Sequence, residues 1–209
     1  MMRIILFSWE YPPRKIGELA DYVNNLATQL VQNKIETHIV THHESLTGAV
    51  EEAKGIHIVR VANPVGTHIS VTTWALTLNQ EVERAAANIY YQANKQISLI
   101  DVHDWHFIPA AVTLKNALRI PFIYSVESLE DHRSPDPSSP SSMAIKSIEW
   151  LGFYEAAKLS VKSEWMRDEV VRIHNVPAKR IRVVLPNTSS WIKEVIVLYN
   201  NAAGGLNSK

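Results

Sequence analysis

Short apolar segments alternate along this chain with longer amphipathic stretches, and this alternation restricts the possible folds more than any other feature. Residues 4–8 are apolar on both faces, as buried parallel strands are, and residues 18–33 then carry apolar side chains at helical spacing. The order recurs, with strands predicted at 4–8, 36–41, 56–61, 98–102, 121–126, 159–161 and 181–185. Helices between such strands are crossovers, so we predict an α/β fold, a doubly wound domain with a mostly parallel sheet of about seven strands.

The domain organisation follows from the same pattern. We predict that residues 1–190 form one domain and that residues 191–209 form a C-terminal helix and a flexible, glycine-containing tail. The polar stretch 42–54 is predicted as a loop, and the Ser/Pro-rich segment 134–142 as an exposed, mobile loop.

Charge and cysteine content exclude several classes of function. Twenty-one basic and twenty-one acidic residues give a net charge of zero, which argues against nucleic-acid or membrane-surface partners. No apolar run approaches the roughly 20 residues of a membrane span, and the N-terminal run has no signal-peptide character. The absence of cysteine excludes disulfides and thiolate chemistry. We therefore expect a soluble, cytoplasmic protein without a cofactor.

Ligands of doubly wound sheets bind at the carboxyl ends of the strands. Three polar or aromatic segments follow predicted strands in this chain, at residues 9–17, 103–106 and 127–133. These three loops are the candidate site.

The first loop joins a strand to a helix, an arrangement that directs free backbone N–H groups and the helix dipole at an anion. Lys15 would add a positive charge, and Gly17 would let a ligand approach the backbone. Glu18, however, stands where a phosphate-binding loop would have a second glycine. The alternative is a plain connection in which Gly17 serves only its backbone angles.

The second loop reads His103-Asp104-Trp105-His106. Metal binding is disfavoured because no third ligand is evident. His103 as a hydrogen-bond donor to a hydroxylated substrate fits a strand's carboxyl end better. In the alternative interpretation, Asp104 caps the next helix while Trp105 packs in the core.

The third loop carries an acidic cluster with a histidine: Glu127, Glu130, Asp131 and His132. Such a cluster suggests general acid–base catalysis, but a solvated charged loop is the alternative. The aromatic residues Trp150, Phe153 and Tyr154 are predicted as core positions rather than ligand contacts.

Taken together, the motifs resemble the N-terminal domain of glycogen and starch synthases, over residues 2–191. The resemblance rests on the segments Trp9–Pro13, Val102–His106, Glu149–Leu151, Tyr154–Ala156 and Ser163–Val170. Those enzymes are retaining glycosyltransferases with two Rossmann-like domains, the GT-B architecture. A dehydrogenase is set aside because no Gly-x-Gly-x-x-Gly run follows the first strand.

The resemblance implies roles for individual residues. The family's Lys-x-Gly-Gly-Leu loop, which approaches the diphosphate of ADP- or UDP-glucose, falls on residues 15–19, and the histidine near the transferred sugar falls on His103. His103 is thus the implied catalytic residue. The implied substrate-binding residues are Lys15, Gly17, Asp104, Trp105 and Glu127. The implied substrates are a nucleotide sugar and an α-1,4-glucan, with the N-terminal domain on the acceptor side.

Three departures from the family pattern lead to a second hypothesis. Glu18 replaces a glycine, Glu127 lies in a loop that usually reads Thr-Val-His-Asn, and residues 186–190 read Pro-Asn-Thr-Ser-Ser rather than Pro-Asn-Gly-Ile-Asp. The residues after 190 show no second Rossmann-like pattern, so we expect the donor-binding half to come from a C-terminal domain or a separate subunit. The alternative is a degenerate, non-catalytic domain that binds glucan or a protein.

Overall fold

The computed structural model describes residues 2–46, 50–186 and 188–204. The strands of these ranges are β1 Arg3–Ser8, β2 Glu36–His42, β3 Val50–Ala53, β4 Ile56–Val61, β5 Leu99–His103, β6 Phe122–Val126, β7 Lys158–Val161 and β8 Ile181–Val183. The helices are α1 Leu19–Gln32, α2 Val71–Gln92, α3 Ile108–Leu118, α4 Glu130–Arg133, α5 Pro140–Glu155, α6 Glu164–His174 and α7 Trp191–Gly204. Short 3₁₀ turns lie at Trp105–Phe107 and Ala178–Arg180.

The strands form one sheet in the order β3-β4-β2-β1-β5-β6-β7-β8, parallel except for β3. The predicted α/β class with a mostly parallel sheet is confirmed. The strand that the sequence pattern missed is β3, which lies in the segment expected to be a loop. It pairs antiparallel with β4, and its Glu51 binds the buried guanidinium of Arg60 at 2.9 Å. A short polar strand held by an ion pair has no apolar alternation to reveal it.

Strand order reverses at β1, because the chain runs from β1 through α1 to β2 on one side, and returns through α2 to β5 on the other. A crevice therefore opens between the loops that follow β1 and β5.

Alternate side chains of β1 enter two hydrophobic cores, one on each face of the sheet. Ile4 and Leu6 pack with α1 and α7, whereas Ile5 and Phe7 pack with α2 and α3, and all four are fully buried. Burial on both faces explains why β1 is apolar at successive positions.

Helix α7, which lies in the predicted C-terminal segment, packs against the sheet that residues 2–186 contain. Its Tyr199 is fully buried and donates a 2.5 Å hydrogen bond to Asp101 of β5. The division at residue 190 stays a prediction, and residues 205–209 of the predicted tail lie outside the described residues.

The aromatic positions of α5 differ from the expectation. Phe153 is buried, but Trp150 and Tyr154 are exposed and stack on each other with ring centroids 5.3 Å apart. The core prediction is therefore wrong for these two residues.

No helix in the described ranges combines the length and apolar content needed to cross a bilayer.

Gly152 of α5 is required by close packing. A Cβ at this position would lie 2.8 Å from Cδ1 of Tyr124 and 2.9 Å from Cδ1 of Ile108. Overpacking costs about 1–3 kcal/mol, which exceeds the roughly 1 kcal/mol that alanine gains over glycine in a helix. Because both contacts are shorter than 3.0 Å, the cost lies in the upper part of that range, and we expect Gly152→Ala to lower the free energy of unfolding by about 1–2 kcal/mol in urea denaturation. Gly66→Ala is the matched control, because a Cβ there meets nothing within 4 Å. Equal stability of the two variants would contradict this account.

His38 on β2 should make stability depend on pH. Burial lowers the pKa of His38, and the charges of His57 and Arg3 lower it further, against the opposing effect of Glu36. The folded state then binds fewer protons than the unfolded state, whose histidine pKa is about 6.5. The stability contribution of His38 is present above that pH and is lost as the pH falls below it. We expect the free energy of unfolding of the wild type, relative to His38→Gln, to decrease from pH 7.5 to pH 5; parallel profiles would refute this.

Candidate functional site

The crevice between β1 and β5 is closed at its base by stacked rings. Trp9, which follows β1, stacks on His106 of the β5 loop, with centroids 4.5 Å apart and planes 10° apart. Trp105 stacks on the other face of His106 at 4.2 Å. Burial, together with the charges of Arg133 and Arg14, holds the pKa of His106 well below its usual range. His106 is therefore a neutral ring inside an aromatic stack, and Trp105, a predicted substrate contact, is buried in the core.

The loop after β1 holds an internal carboxylate where an anion ligand was expected. Glu10 is only 2% exposed, and its Oε2 accepts hydrogen bonds from the backbone N–H groups of Ile16 and Gly17, the latter at 2.9 Å. Two backbone amides of the loop that the sequence predicts to approach a diphosphate are therefore already bonded to Glu10.

Gly17 does not adopt the left-handed backbone that would require glycine, and a Cβ there would meet only Oε1 of Glu10, at 3.5 Å. The alternative based on backbone angles is thus not supported. Lys15 and Glu18 are both exposed, and Lys15 forms an ion pair with Asp21 in the first turn of α1. Glu18 is the N-cap residue of α1, without a side-chain capping hydrogen bond.

His103 lies at the end of β5 between two carboxylates. It is 1% exposed; its Nδ1–H donates to Oε1 of Glu127 at 3.0 Å, and its Nε2 lies 3.5 Å from Oδ2 of Asp101. Glu127 also pairs with Lys162, whose Nζ sits 3.3 Å above the ring centroid of Tyr22. His103 and Glu127, both predicted site residues, are thus brought together, but His103 is covered and only the Glu127 end approaches the surface.

Opposing effects act on the charge of Glu127. Burial raises its pKa, but the hydrogen bond from His103 and the charge of Lys162 outweigh burial and hold the pKa below its usual value. Burial and the neighbouring charges of Glu127 and Asp101 raise the pKa of Tyr22. The site therefore presents a carboxylate, an ammonium group and a neutral phenol.

Asp101 is the second carboxylate beside His103, and its own hydrogen bonds hold it in place. Its two carboxylate oxygens accept hydrogen bonds from Ser125 at 2.7 Å and Tyr199 at 2.5 Å. These partners lie on β6 and α7, so three separate elements fix the acid that faces His103. Nothing in the local sequence around Asp101 signals this role.

Asp104, a predicted substrate contact, is buried and faces inward. It does not cap the following turn through its side chain, and it lies 3.6 Å from Nη1 of Arg133. Burial raises the pKa of Asp104 to about 6, against the opposing charge of Arg133. Arg133 also binds the fully buried Glu149 at 2.9 Å, and burial raises the pKa of Glu149 to about 7. Arg133 therefore ties the β5 loop to α5.

The other acids of the third loop are dispersed rather than clustered. Glu130 accepts from Ser142 at 2.8 Å, Asp131 pairs with Lys146 at 2.7 Å, and His132 pairs with Glu169 at 2.8 Å. The described ranges contain no group of three or more histidine, aspartate or glutamate side chains arranged to hold a metal ion.

Two clefts flank the crevice at the carboxyl edge of the sheet. The charged cleft, about 660 Å³, is lined by residues that include Glu18, Asp21, Tyr22, Asn25, Glu127 and Lys162. The aromatic cleft, about 560 Å³, is lined by residues that include Trp9, Arg14, His42, Asn63, His68 and Trp74. The sequence analysis missed Lys162 and Trp74, because each lies outside the three loops selected from strand ends.

The doubly wound sheet and the crevice at its carboxyl edge fit the predicted resemblance to the N-terminal domain of GT-B glycosyltransferases, and comparisons with known proteins support it. Residues 17–187 match the model of the glycosyl transferase 4-like domain, and the chain belongs to that family.

Two sequence relatives agree with this assignment. The chain is 32% identical over 192 residues to an uncharacterized glycosyltransferase of Methanocaldococcus jannaschii, over 91% of this chain and 47% of that protein. It is 24% identical over 197 residues to glycogen synthase of Mycobacterium tuberculosis, over 88% of this chain and 47% of the synthase. The chain spans about half the length of the curated relatives it matches.

Solved structures share the fold. Sucrose-phosphate synthase of Thermosynechococcus elongatus superposes with a TM-score of 0.71 at 18% identity, over 90% of this chain and 49% of that one. The catalytic domain of starch synthase IV of Arabidopsis thaliana, bound to ADP and acarbose, gives a TM-score of 0.58 at 14% identity, over 90% and 52%.

Glu10 should control the order of the first loop. Removal of its carboxylate in Glu10→Ala leaves the N–H groups of Ile16 and Gly17 without an acceptor. We expect both amides to exchange with solvent deuterium about tenfold faster or more, since a hydrogen bond to a charged group contributes about 1.5–3 kcal/mol. The exposed neighbour Glu18→Ala is the control and should leave both rates unchanged. Unaltered protection in Glu10→Ala would show that Glu10 does not hold the loop.

Proposed function

We propose that this chain forms the N-terminal half of a glucosyltransferase that moves glucose from ADP- or UDP-glucose to the non-reducing end of an α-1,4-glucan. The donor-binding half would come from a C-terminal Rossmann-like domain or a separate subunit. The observation that carries the proposal is the crevice between β1 and β5, with a charged cleft on one side and an aromatic cleft on the other. Family membership supports the class of reaction, and the clefts suggest how its two substrates are divided.

The charged cleft suits the donor. The first turn of α1 lines it, and because the N-cap residue Glu18 gives no side-chain hydrogen bond, the helix N-terminus remains open to ligand oxygens. Lys162 lines this cleft as a cation for a diphosphate, and Lys15 is held next to it by its ion pair with Asp21. Gly17 contributes indirectly, because its amide fixes Glu10 and so shapes the turn that leads into α1.

His103 is proposed to act at the sugar through Glu127. With its ring covered and Nδ1 bonded to Glu127, it orients the carboxylate that borders the charged cleft. Sugar hydroxyl groups would then donate to Glu127. A direct contact between His103 and the sugar stays a prediction, as do the substrate contacts of Asp104 and Trp105, which would require these buried side chains to become exposed.

The aromatic cleft suits the acceptor. The indole ring of Trp74 offers an apolar surface for the C–H face of a sugar ring, and Asn63 and His68 add polar groups. Trp9 also lines the cleft, but it stacks on His106 and carries the Arg14 guanidinium over its ring. For transfer with oxocarbenium character, the protein must align donor and acceptor and stabilise the departing diphosphate.

A non-catalytic domain that binds glucan or a protein is the second candidate. The observation in its favour is the acidity of the charged cleft, where Glu18, Asp21 and Glu127 outnumber Lys162. Lys15 is already paired with Asp21, and Glu10 already occupies two loop amides. Each of these carboxylates would repel a diphosphate.

Titration calorimetry with ADP-glucose and UDP-glucose separates the two candidates. For the transferase half we expect measurable binding that Lys15→Ala weakens about two- to fivefold, as for an exposed charge contact of roughly 0.5–1 kcal/mol. Glu18→Gly should strengthen binding by a similar factor, because it removes a like charge from the cleft.

Lys193→Ala, which removes an exposed lysine from α7, is the matched control and should change nothing. Glucan binding without nucleotide-sugar binding would favour the non-catalytic domain. No glucose transfer in a mixture with a C-terminal half, and no rescue by Glu18→Gly, would overturn the enzyme proposal.

A further inference from the structure

The mouth of the aromatic cleft carries an outward-facing apolar rim. Ile69 is 96% exposed, and Val65 and Val71 are 42% and 47% exposed. Val65 and Val71 line the cleft, and Ile69 lies between them in the chain. Single exposed apolar residues are ordinary, but three within seven residues at the mouth of one cleft form a patch.

Polar side chains of the same loop face inward and hold it in place. Nε2 of His68 lies 2.9 Å from the hydroxyl of Thr77, which in turn donates to Oδ1 of Asn63. Asn63 also donates to the carbonyl of Trp74, and Ser70 caps α2 by accepting from the N–H of Thr73. Hydrogen bonds between this loop and α2 therefore hold the loop in a conformation that leaves its apolar side chains exposed.

The segment of the chain that carries the rim has no formal charge, although the cleft next to it contains the ion pair between Arg14 and Glu44. Residues 61–80 contain no aspartate, glutamate, lysine or arginine, and this is the longest such stretch in a chain with 20% charged residues. An uncharged apolar rim beside a cleft with an indole surface, an amide and the Arg14–Glu44 ion pair is complementary to a molecule with a sugar at one end and an apolar group at the other.

We propose that the aromatic cleft takes an amphiphilic glycoside as acceptor. The terminal sugar packs on Trp74, and the alkyl or aryl group of the glycoside lies across Val65, Ile69 and Val71. This inference rests on the proposed function, and it specifies the acceptor as a short glucan that carries an apolar group at its reducing end. A few methylene groups buried on the rim strengthen binding tenfold or more.

Two probes of related chemistry test the proposal by calorimetry on the full chain. Octyl β-maltoside, kept below its micelle-forming concentration, and maltotetraose both carry an α-1,4-linked glucose pair. The first continues as an alkyl chain and the second as further sugars. We expect octyl maltoside to bind about tenfold or more tightly than maltotetraose.

Variants of the rim locate the effect. In the double variant Ile69→Thr/Val71→Thr, the ratio of octyl maltoside affinity to maltotetraose affinity should fall severalfold, because both substitutions keep the branched Cβ and remove apolar surface. Val197→Thr, at an exposed apolar site on α7, is the matched control and should keep the ratio.

Equal affinity of the two probes, tighter binding of maltotetraose, or an unchanged ratio in the double variant would overturn the proposal. So would equal binding of an octyl ether without a sugar, which would indicate detergent adsorption. If maltotetraose binds while octyl maltoside has no advantage, the proposed glucan transfer stands and only the amphiphilic acceptor fails. If neither binds, the acceptor side fails as well, and the nucleotide-sugar titration still decides the donor side.

Discussion

The parallel pairing of β1 with both β2 and β5 is the constraint on which the rest of the structure depends. Because β1 is the point at which strand order reverses, the loops after β1 and β5 leave the sheet in opposite directions and cannot cover the space between them. Trp9 and His106 meet across that space as a stacked pair. The charged and aromatic clefts lie on either side of it, so one topological feature places both proposed substrate positions.

Carboxylates buried around this crevice are tolerated because each has a partner. Asp101 is held by Ser125 and Tyr199, Glu127 by His103 and Lys162, and Glu149 by Arg133. An unpaired buried charge would cost several kcal/mol, so these contacts also lock neighbouring elements together. The buried carboxylate of Glu10 is stabilised in the same way, but by backbone N–H donors instead of cations. The loop expected to receive a diphosphate is thereby organised by the protein's own acid, which leaves the N-terminus of α1 as the open end.

The location of the candidate site was predictable, whereas its internal arrangement was not. Strand ends selected the loops of Gly17, His103 and Glu127 because parallel strands bring their carboxyl ends to one edge. The pairing of His103 with Glu127 joins residues 24 positions apart, and Tyr199 reaches Asp101 across 98 positions. Lys162 and Trp74 were not predicted, because neither belongs to a loop that the pattern of strand ends selected. Strand β3 was missed because an ion pair between Glu51 and Arg60 replaces apolar alternation.

By itself the sequence determined the α/β class, the parallel strands and the family, because periodicity, loop length and motif order are local properties that the chain carries everywhere. Only the tertiary structure decided which groups are available. In the tertiary structure His103 and Trp105 are buried, whereas Trp150, Tyr154 and Ile69 are exposed. Two backbone amides of the first loop are hydrogen-bonded to Glu10. Availability depends on distances and burial among segments far apart in the chain, and no local pattern encodes these.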